Sequence, residues 1–139
     1  MSENSENGRE RRSAIERNTK ETQIQVEIAL DGSGVYEIDT GVAFFDHMLE
    51  SFSRHALFDL KIKAKGDLDV DTHHTIEDVG IVMGQAFREA LGSAVGIRRF
   101  GQTTLPMAES KVDVTVDVSN RPFLLYRVDL VNDRIGSFD

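Results

Sequence analysis

Two periodicities of apolar residues constrain the fold of this chain more than any other feature of its sequence. Apolar side chains occupy every second position in residues 22–30, 58–64 and 111–118, which predicts half-buried strands. They are spaced by three and four between residues 39 and 57 and again after Thr72, which predicts amphipathic helices. The chain is therefore expected to combine strands with helices that each bury one face.

Turn signals predict how the strands are connected. The sequence Asp-Gly-Ser-Gly at residues 31–34 separates the first strand from a short second strand at residues 35–38, so we expect these two strands to form a hairpin. The sequence Ser-Asn-Arg-Pro at residues 119–122 predicts a second turn, after which residues 123–131 are expected to return as a strand beside the preceding one.

The helix after Thr72 is the clearest element of the sequence. Gly80 and Gly84 each cost about 1 kcal/mol of helix stability relative to Ala, which predicts that another element packs closely against them. Gly92 or Gly96 is expected to end the helix. The predicted apolar face comprises Ile76, Val79, Gly80, Met83, Phe87, Ala90, Leu91 and Ala94.

Two adjacent histidines at the start of this helix predict a metal site. Residues four apart lie on the same face of a helix, so His73 lies over Glu77 and His74 lies over Asp78. Neutral imidazole together with carboxylate suits Zn, Mn, Fe or Ni. A helix cannot surround a metal by itself, so each pair needs further ligands from another element or another subunit.

Two alternatives use the same residues differently. These histidines and carboxylates could be solvated polar groups in a first helical turn that Thr72 caps. A metallohydrolase is a weaker alternative, because the order of His and Glu differs from His-Glu-x-x-His and no additional base is evident.

Composition and charge limit the classes of function. The 139 residues carry a net charge of −8 and contain no cysteine, which excludes disulfides and fits a cytoplasmic protein. The negative charge repels nucleic-acid phosphate, so a non-specific nucleic-acid binder is not expected. No apolar run approaches the ~20 residues of a membrane span, so no membrane partner is expected either. Residues 1–14 are predicted to form a disordered polar tail before one folded domain over residues 15–139.

The end of the chain is similar to an earlier part of it. A strand, a turn and a strand precede Gly-Val-Ala-Phe-Phe-Asp at residues 41–46, and the same order precedes Gly-Ser-Phe-Asp at residues 136–139. The second copy stops where the first begins its first helix, which is typical of a fragment of a duplicated protein. Chance similarity between two hairpins is the alternative.

Six ordered motifs together resemble the imidazoleglycerol-phosphate dehydratase family. They cover nearly all of residues 17–139. They are Arg-Asn-Thr-Lys-Glu-Thr at 17–22, Gly-Val-Ala-Phe-Phe-Asp-His-Met-Leu at 41–49, Arg-His at 54–55, Ala-Lys-Gly-Asp-Leu at 64–68, His-His-Thr-Ile-Glu-Asp-Val-Gly at 73–80 and Gly-Ile-Arg-Arg-Phe-Gly at 96–101.

The resemblance implies a fold, an activity and an assembly. The fold is α+β, a two-layer β-sheet/helix sandwich of the ribosomal protein S5 domain 2-like type, with a first repeat and the opening hairpin of a second. The implied activity is a lyase of histidine biosynthesis that dehydrates D-erythro-imidazole glycerol phosphate to imidazole acetol phosphate. It uses two Mn²⁺ ions per complete site, although other divalent metals are possible. Members of the family assemble into large symmetric homo-oligomers with active sites between subunits.

The resemblance also implies roles for individual residues. One metal would be held by His73 and Glu77, and the other by His74 and His47. Asp78 would be a carboxylate behind the ligands that orients an imidazole. Binding of the small phosphorylated imidazole substrate would involve Glu21, His55, Arg99 and Arg121. The implied catalytic set is Glu21, His47, His73, His74 and Glu77.

The chain departs from the family pattern in one large respect. A second His-His-x-x-Glu motif, another metal-binding histidine and a phosphate-binding lysine are absent from this sequence. Each metal would therefore lack about half of its protein ligands. We expect the chain alone to be inactive or nearly so. A stand-alone metal-binding or assembly module without catalysis is the alternative.

Overall fold

A computed structural model describes residues 10–130, 134–136 and 138 of the chain. The chain divides into two compact units, Met1–Gly92 with Val131–Asp139 and Ser93–Leu130, and each unit is described by itself. The first unit contains β1 (Arg12–Asn18), β2 (Thr22–Ala29), β3 (Tyr36–Asp39), α1 (Ala43–Ala56), β4 (Asp59–Gly66) and α2 (His73–Leu91). The second contains β5 (Phe100–Met107) and β6 (Ser110–Asp117).

The first unit is a four-stranded sheet in the order β1-β2-β4-β3. Its central strands β2 and β4 are antiparallel, and Val26 lies opposite Ile62 in their register. Alternate residues of both strands point to one face, where Ile24, Val26 and Ile62 are almost completely buried. This is the inward and outward alternation that the sequence predicts for a half-buried sheet.

The prediction that the strands at residues 22–30 and 35–38 form a hairpin is wrong. β3 lies beside β4, parallel to it, and has no pairing with β2. The two neighbours of β2 are β1 and β4, so both of its hydrogen-bonding edges are already occupied. The turn at residues 31–34 therefore carries the chain past β4, and β3, α1 and β4 form a parallel crossover unit.

The folded part of the chain begins earlier than the sequence predicts. β1 starts at Arg12, and the backbone N–H of Leu30 donates to the carbonyl of Arg11. The proposed tail over residues 1–14 is therefore too long at its C-terminal end, and residues 1–9 lie outside the described residues. Alternation is weak in β1 because the buried position Ser13 is polar, so the strand gave no apolar pattern.

Both helices pack on the apolar face of the sheet, α2 against β1, β2 and β4, and α1 against β3. This two-layer arrangement of sheet and helices confirms the predicted α+β class. The buried face of α2 is displaced slightly from the predicted one, because Met83, Phe87 and Leu91 lie at its margin. The buried residues of α2 are Thr75, Val79, Val82, Ala86 and Ala90.

The helix glycines behave differently from one another. Gly92 follows the last residue of α2 with a φ of 61°, so it ends the helix as expected. Gly80 and Gly84 are exposed, and a Cβ at either would have nothing within 4 Å among the described residues. The predicted close packing at these two positions is therefore wrong for the part of the chain that the structure describes.

The second unit is an antiparallel hairpin of β5 and β6. The strand predicted at residues 111–118 is confirmed, but its partner is β5, which precedes it. The returning strand predicted at 123–131 is wrong over residues 123–130, which have no regular secondary structure, and Val131 lies outside the described residues. The sequence did not predict β5, because Thr103 and Thr104 interrupt the alternation of apolar and polar residues in this strand.

The strand register of the β5–β6 hairpin is the same as that of the β1–β2 hairpin, moved by one constant number of residues along the chain. The pair Arg12 and Ala29 in the first corresponds to Phe100 and Asp117 in the second, and the remaining pairs follow in step. The bond from Leu30 N–H to the Arg11 carbonyl is repeated from Val118 N–H to the Arg99 carbonyl. This equality of register points to an internal duplication that relates β1 and β2 to β5 and β6, whereas the comparison of sequences aligned the strands at 22–30 and 35–38 with residues 111–118 and 123–131.

Candidate metal centre

The N-terminus of α2 is organised by an aspartate that lies just before it. The backbone N–H of His73 donates to Asp71 Oδ1 at 2.9 Å. Thr72 occupies the N-cap position but its side chain makes no capping hydrogen bond. The capping role expected of Thr72 therefore belongs to Asp71, whose carboxylate also suits the positive end of the helix dipole.

The same carboxylate orients the first imidazole. Nδ1 of His73 lies 2.6 Å from Asp71 Oδ1. The pKa of Asp71 is lowered, chiefly because the backbone N–H of His73 donates to it. An ionised carboxylate only accepts hydrogen bonds, so the proton of this pair lies on Nδ1 and the lone pair of a neutral ring lies on Nε2.

The second imidazole is oriented by a different aspartate. Nδ1 of His74 lies 3.0 Å from Oδ2 and 3.2 Å from Oδ1 of Asp67. This hydrogen bond is the main reason why the pKa of His74 is raised, and the charges of Asp67, Glu21 and Asp71 act in the same direction. Glu21 therefore lies close enough to His74 to act on it electrostatically.

These side chains form a cluster that can hold a cation. Ligand atoms of Asp71, His73 and His74 all lie within 4.8 Å of one another, and the two rings have centroids 4.1 Å apart. Two ligands of one ion with bonds of about 2.1 Å are at most about 4.2 Å apart, so only a small rearrangement would present candidate ligand atoms of this cluster to an ion. Imidazoles with carboxylate fit Mn, Fe, Zn or Ni, and these three candidate ligands leave coordination positions for other groups. While Asp71 holds Nδ1 of His73, it supports that ring from behind and leaves Nε2 for the ion.

Two of the predicted metal ligands do not join this cluster. His47 is exposed on α1, and Glu77 is exposed on α2 one turn after His73. Within residues 10–130, 134–136 and 138, the group of Asp71, His73 and His74 is the only one of three or more such ligands. The structure thus brings together His73 and His74, which were assigned to different metals, and it places neither predicted pair, His73 with Glu77 or His74 with His47, in one cluster.

Asp78 has a different set of partners from the predicted one. Thr22 Oγ1 donates to Asp78 Oδ2, and Arg17 Nη1 lies 2.5 Å from the same oxygen. Among the described residues Asp78 has no imidazole partner, and its orienting role stays a prediction. Asp67 and Asp71 orient the imidazoles instead, and Asp78 binds the strands beneath the helix.

The predicted substrate-binding residues fall into separate places. In the second unit, Arg99 binds Asp117 through Nε at 2.6 Å and Nη2 at 3.1 Å, and its guanidinium lies 4.9 Å above the ring of Phe100. The hydrogen bond from Arg99 is the main cause of the lowered pKa of Asp117, to which the charge of Arg121 also contributes. In the first unit, His55 is exposed in the last turn of α1.

The sequence contained a signal for one of the two missed aspartates. Asp71 lies two residues before the first residue of α2, where a carboxylate is a common helix cap. Asp67 lies seven residues before His74, and no local pattern indicates that pairing. It depends on how residues 67–72 fold back over the helix start.

Fold and site together define an α+β protein with a candidate divalent-metal centre at the N-terminus of its longer helix. Among the described residues, no helix is long and apolar enough to cross a membrane. A model of the family described as imidazoleglycerol-phosphate dehydratase matches residues 40–139. The chain belongs to this family, which confirms the resemblance noted in its motifs.

Individual relatives agree with this assignment. Imidazoleglycerol-phosphate dehydratases of Geobacter sulfurreducens and Phenylobacterium zucineum are 55% and 52% identical to this chain over 129 residues, which is 93% of the chain. The crystal structure of the Staphylococcus aureus enzyme has a TM-score of 0.81 at 35% identity and covers 92% of this chain and 70% of that one. The Pyrococcus furiosus structure has a TM-score of 0.71 at 40% identity, with 84% and 61% covered. The chain spans 66% of the length of the curated relatives that it matches.

Proposed function

We propose that this chain forms part of the active site of an imidazoleglycerol-phosphate dehydratase, a metal-dependent lyase of histidine biosynthesis in the cytoplasm. The observation that carries the proposal is the cluster of Asp71, His73 and His74, in which both imidazoles are oriented by carboxylates. It lies in the motif that identified the family. The proposed substrate is D-erythro-imidazole glycerol phosphate, and the product is imidazole acetol phosphate.

The residues of the cluster present nitrogen ligands in fixed directions. With Nδ1 of both rings bonded to aspartates, Nε2 of His73 and of His74 is available for Mn²⁺. When bound, the metal supplies Lewis acidity towards the imidazole of the substrate. His47 and Glu77 are proposed to complete the ligand set, together with groups from another element or another copy of the chain.

Glu21 is the proposed group that moves a proton. The reaction removes a proton from a carbon atom of the substrate, which requires a base held close to the metal-bound ring. Glu21 is exposed at the end of the β1–β2 loop, and its charge contributes to the raised pKa of His74. His55 is proposed to contact the substrate on the same unit.

Arg99 and Arg121 are proposed to bind the phosphate of the substrate. Arg99 already binds the Asp117 carboxylate, and the charge of Arg121 contributes to the lowered pKa of Asp117. A phosphate would compete with that carboxylate for charge-assisted hydrogen bonds. These bonds would fix the phosphate end of the substrate.

Metal binding and turnover test different parts of the proposal. We expect Mn²⁺ to bind the metal-stripped chain, as measured by the loss of the free-ion signal in electron paramagnetic resonance. His74→Ala should weaken binding at least tenfold, an effect of the size seen when metal sites lose a supporting group. His55→Ala is the matched control, because His55 is exposed in α1 and lies outside the cluster.

Turnover of the substrate by the chain alone is expected to be absent or nearly so. Three clustered ligands are too few for a complete coordination shell, so the remaining ligands must be supplied from elsewhere. Turnover at an enzyme-like rate by the purified chain would contradict this expectation. Mn²⁺ binding that is equally strong in His74→Ala and in the unaltered chain would contradict the proposed metal centre.

The three-ligand cluster also favours the second candidate, a metal-binding assembly module. Size-exclusion chromatography with light scattering, before and after Mn²⁺, distinguishes the two candidates. Large assemblies that retain metal but do not turn over the substrate would favour the module.

A further inference from the structure

A partly buried polar network connects the β1–β2 loop to α2. Its central group is Asp78, whose side chain is 14% exposed and which lies one helical turn after His74. Asp78 Oδ2 accepts a hydrogen bond from Thr22 Oγ1 and forms an ion pair with Arg17. Thr22 is itself only 1% exposed. Residues from two strands thus converge on one carboxylate of the helix.

The network continues from Thr22 to the backbone of Glu21. Oγ1 of Thr19 accepts the backbone N–H of Glu21 at 3.1 Å and that of Thr22 at 2.9 Å. The two threonine hydroxyls lie 3.0 Å apart. Because the single hydroxyl proton of Thr22 goes to Asp78, Thr22 Oγ1 can only accept from Thr19, whose hydroxyl also lies 3.4 Å from the carbonyl oxygen of Thr22. Polar contacts therefore connect the Glu21 N–H, by way of both hydroxyls, to the carboxylate.

A purely structural role does not account for this arrangement. The side chains of Arg17 and Asp78 are 34% and 14% exposed, and partly exposed ion pairs contribute little to stability, so stability alone gives no reason for this pair. Connected hydrogen bonds reinforce one another and hold one geometry. What it holds is the short loop that carries Glu21, and its other end is fixed one turn from His74 on α2.

We propose that Asp78 is a positioning residue that acts through Thr22 and Thr19 to hold the loop that carries Glu21 against α2, one helical turn from His74. This inference rests on the proposed function, in which Glu21 moves a proton next to the metal-bound ring. Asp78 itself touches neither the cluster of metal ligands nor the substrate. Its role is to fix the distance between the acid and the metal centre.

The test compares two buried threonines that differ in their connection to the network. Thr22→Val removes the hydroxyl that binds Asp78 and keeps the size of the side chain. Thr75→Val is the matched control, because Thr75 is also fully buried and its hydroxyl has no hydrogen-bond partner among the described residues. Thr22→Ser restores the hydroxyl, and Asp78→Asn removes the charge at the end of the network.

The first readout is amide hydrogen exchange at Glu21 in the chain. We expect Thr22→Val and Asp78→Asn to accelerate this exchange about tenfold, since each breaks a hydrogen-bonded chain that ends at this amide. Thr22→Ser should return the rate to near its original value, and Thr75→Val should leave it unchanged. Equal rates in Thr22→Val and Thr75→Val would overturn the inference. Thermal melts identify a variant that does not fold. If either Thr22→Val or Asp78→Asn fails to fold, the other variant tests the inference.

The second readout is the paramagnetic broadening of the Glu21 amide by bound Mn²⁺, which depends steeply on the distance to the ion. We expect this broadening to change at least twofold in Thr22→Val and Asp78→Asn, with the broadening of Ile76 in α2 unchanged. Faster exchange with unaltered broadening would overturn the positioning role, because the loop would be loosened without moving Glu21. If the chain binds no Mn²⁺, the proposed function fails at its metal step, and the exchange comparison alone decides whether the network holds Glu21.

Discussion

A side chain at Gly66 is predicted to disrupt the contact between the sheet and α2. A Cβ built on Gly66, the last residue of β4, would lie 1.9 Å from Oγ1 and 3.1 Å from Cβ of Thr75. Thr75 is fully buried, so its side chain cannot turn into solvent. Helix and strand would have to separate by about 1.5 Å to restore ordinary contact.

We expect Gly66→Ala to lower the free energy of unfolding by about 2 kcal/mol, the middle of the range for overpacked cores. The midpoint of thermal unfolding should fall by roughly 10 °C for a unit of this size. Urea denaturation followed by circular dichroism measures the change. Gly84→Ala is the matched control, since nothing would lie within 4 Å of its Cβ in the described structure, and it should raise stability by about 0.5–1 kcal/mol.

A second substitution tests the steric cause directly. Thr75→Ala removes the atom that Gly66→Ala would strike, together with a buried hydroxyl that lacks a partner in the described part of the chain. The double variant should therefore recover about 1 kcal/mol or more relative to Gly66→Ala alone, as a coupling between contacting residues. If Gly66→Ala is as stable as the original chain, or if the two substitutions are additive, the reasoning is refuted.

Three further predictions concern pH, a helix end and the metal centre. The pKa of Asp59 is lowered in the folded chain because its carboxylate accepts the backbone N–H groups of Ser33 and Val35. The stability that Asp59 contributes is therefore complete above its unfolded pKa of about 3.9, and it is lost as the pH falls through the lower folded pKa. Asp59→Asn should therefore flatten the dependence of urea midpoints on pH below about 4, and an unchanged profile would contradict this. Leu57 ends α1 with a φ of 58° and is 58% exposed, so Leu57→Gly should raise the free energy of unfolding by about 1 kcal/mol in the same urea assay. Asp67→Asn should weaken Mn²⁺ binding about tenfold by releasing its imidazole partner, whereas equal affinity in a titration would show that Asp67 plays no part.

The sequence predicted those elements whose own periodicity is clean. β2, β4 and both helices follow from alternation or from spacing by three and four, because each buries one continuous apolar face. β1 could not be found this way, since buried Ser13 interrupts its apolar pattern. The spacing of apolar residues does not predict strand pairing either, because the choice between a hairpin and a crossover depends on which edges of β2 are free.

The candidate site was predictable only in its local parts. Residues adjacent in sequence, such as His73 and His74, could be identified from the motif, and the helix cap at Asp71 could have been found from its position. Contacts that join distant segments could not, and the pairing of Asp78 with Thr22 is the clearest example, because 56 residues separate them. The partners of Asp78 could therefore not be predicted from the motif.

The orientation of the two imidazoles is determined over a very short stretch of chain. Their carboxylate partners precede them by only two and seven residues. Closing such short loops costs little entropy and takes about 10–100 ns, far less than the pairing of distant strands. Residues 67–74 should therefore orient the two imidazoles independently of the rest of the fold. Transplanted to the start of a helix in another scaffold, this segment should carry its two oriented nitrogen ligands with it.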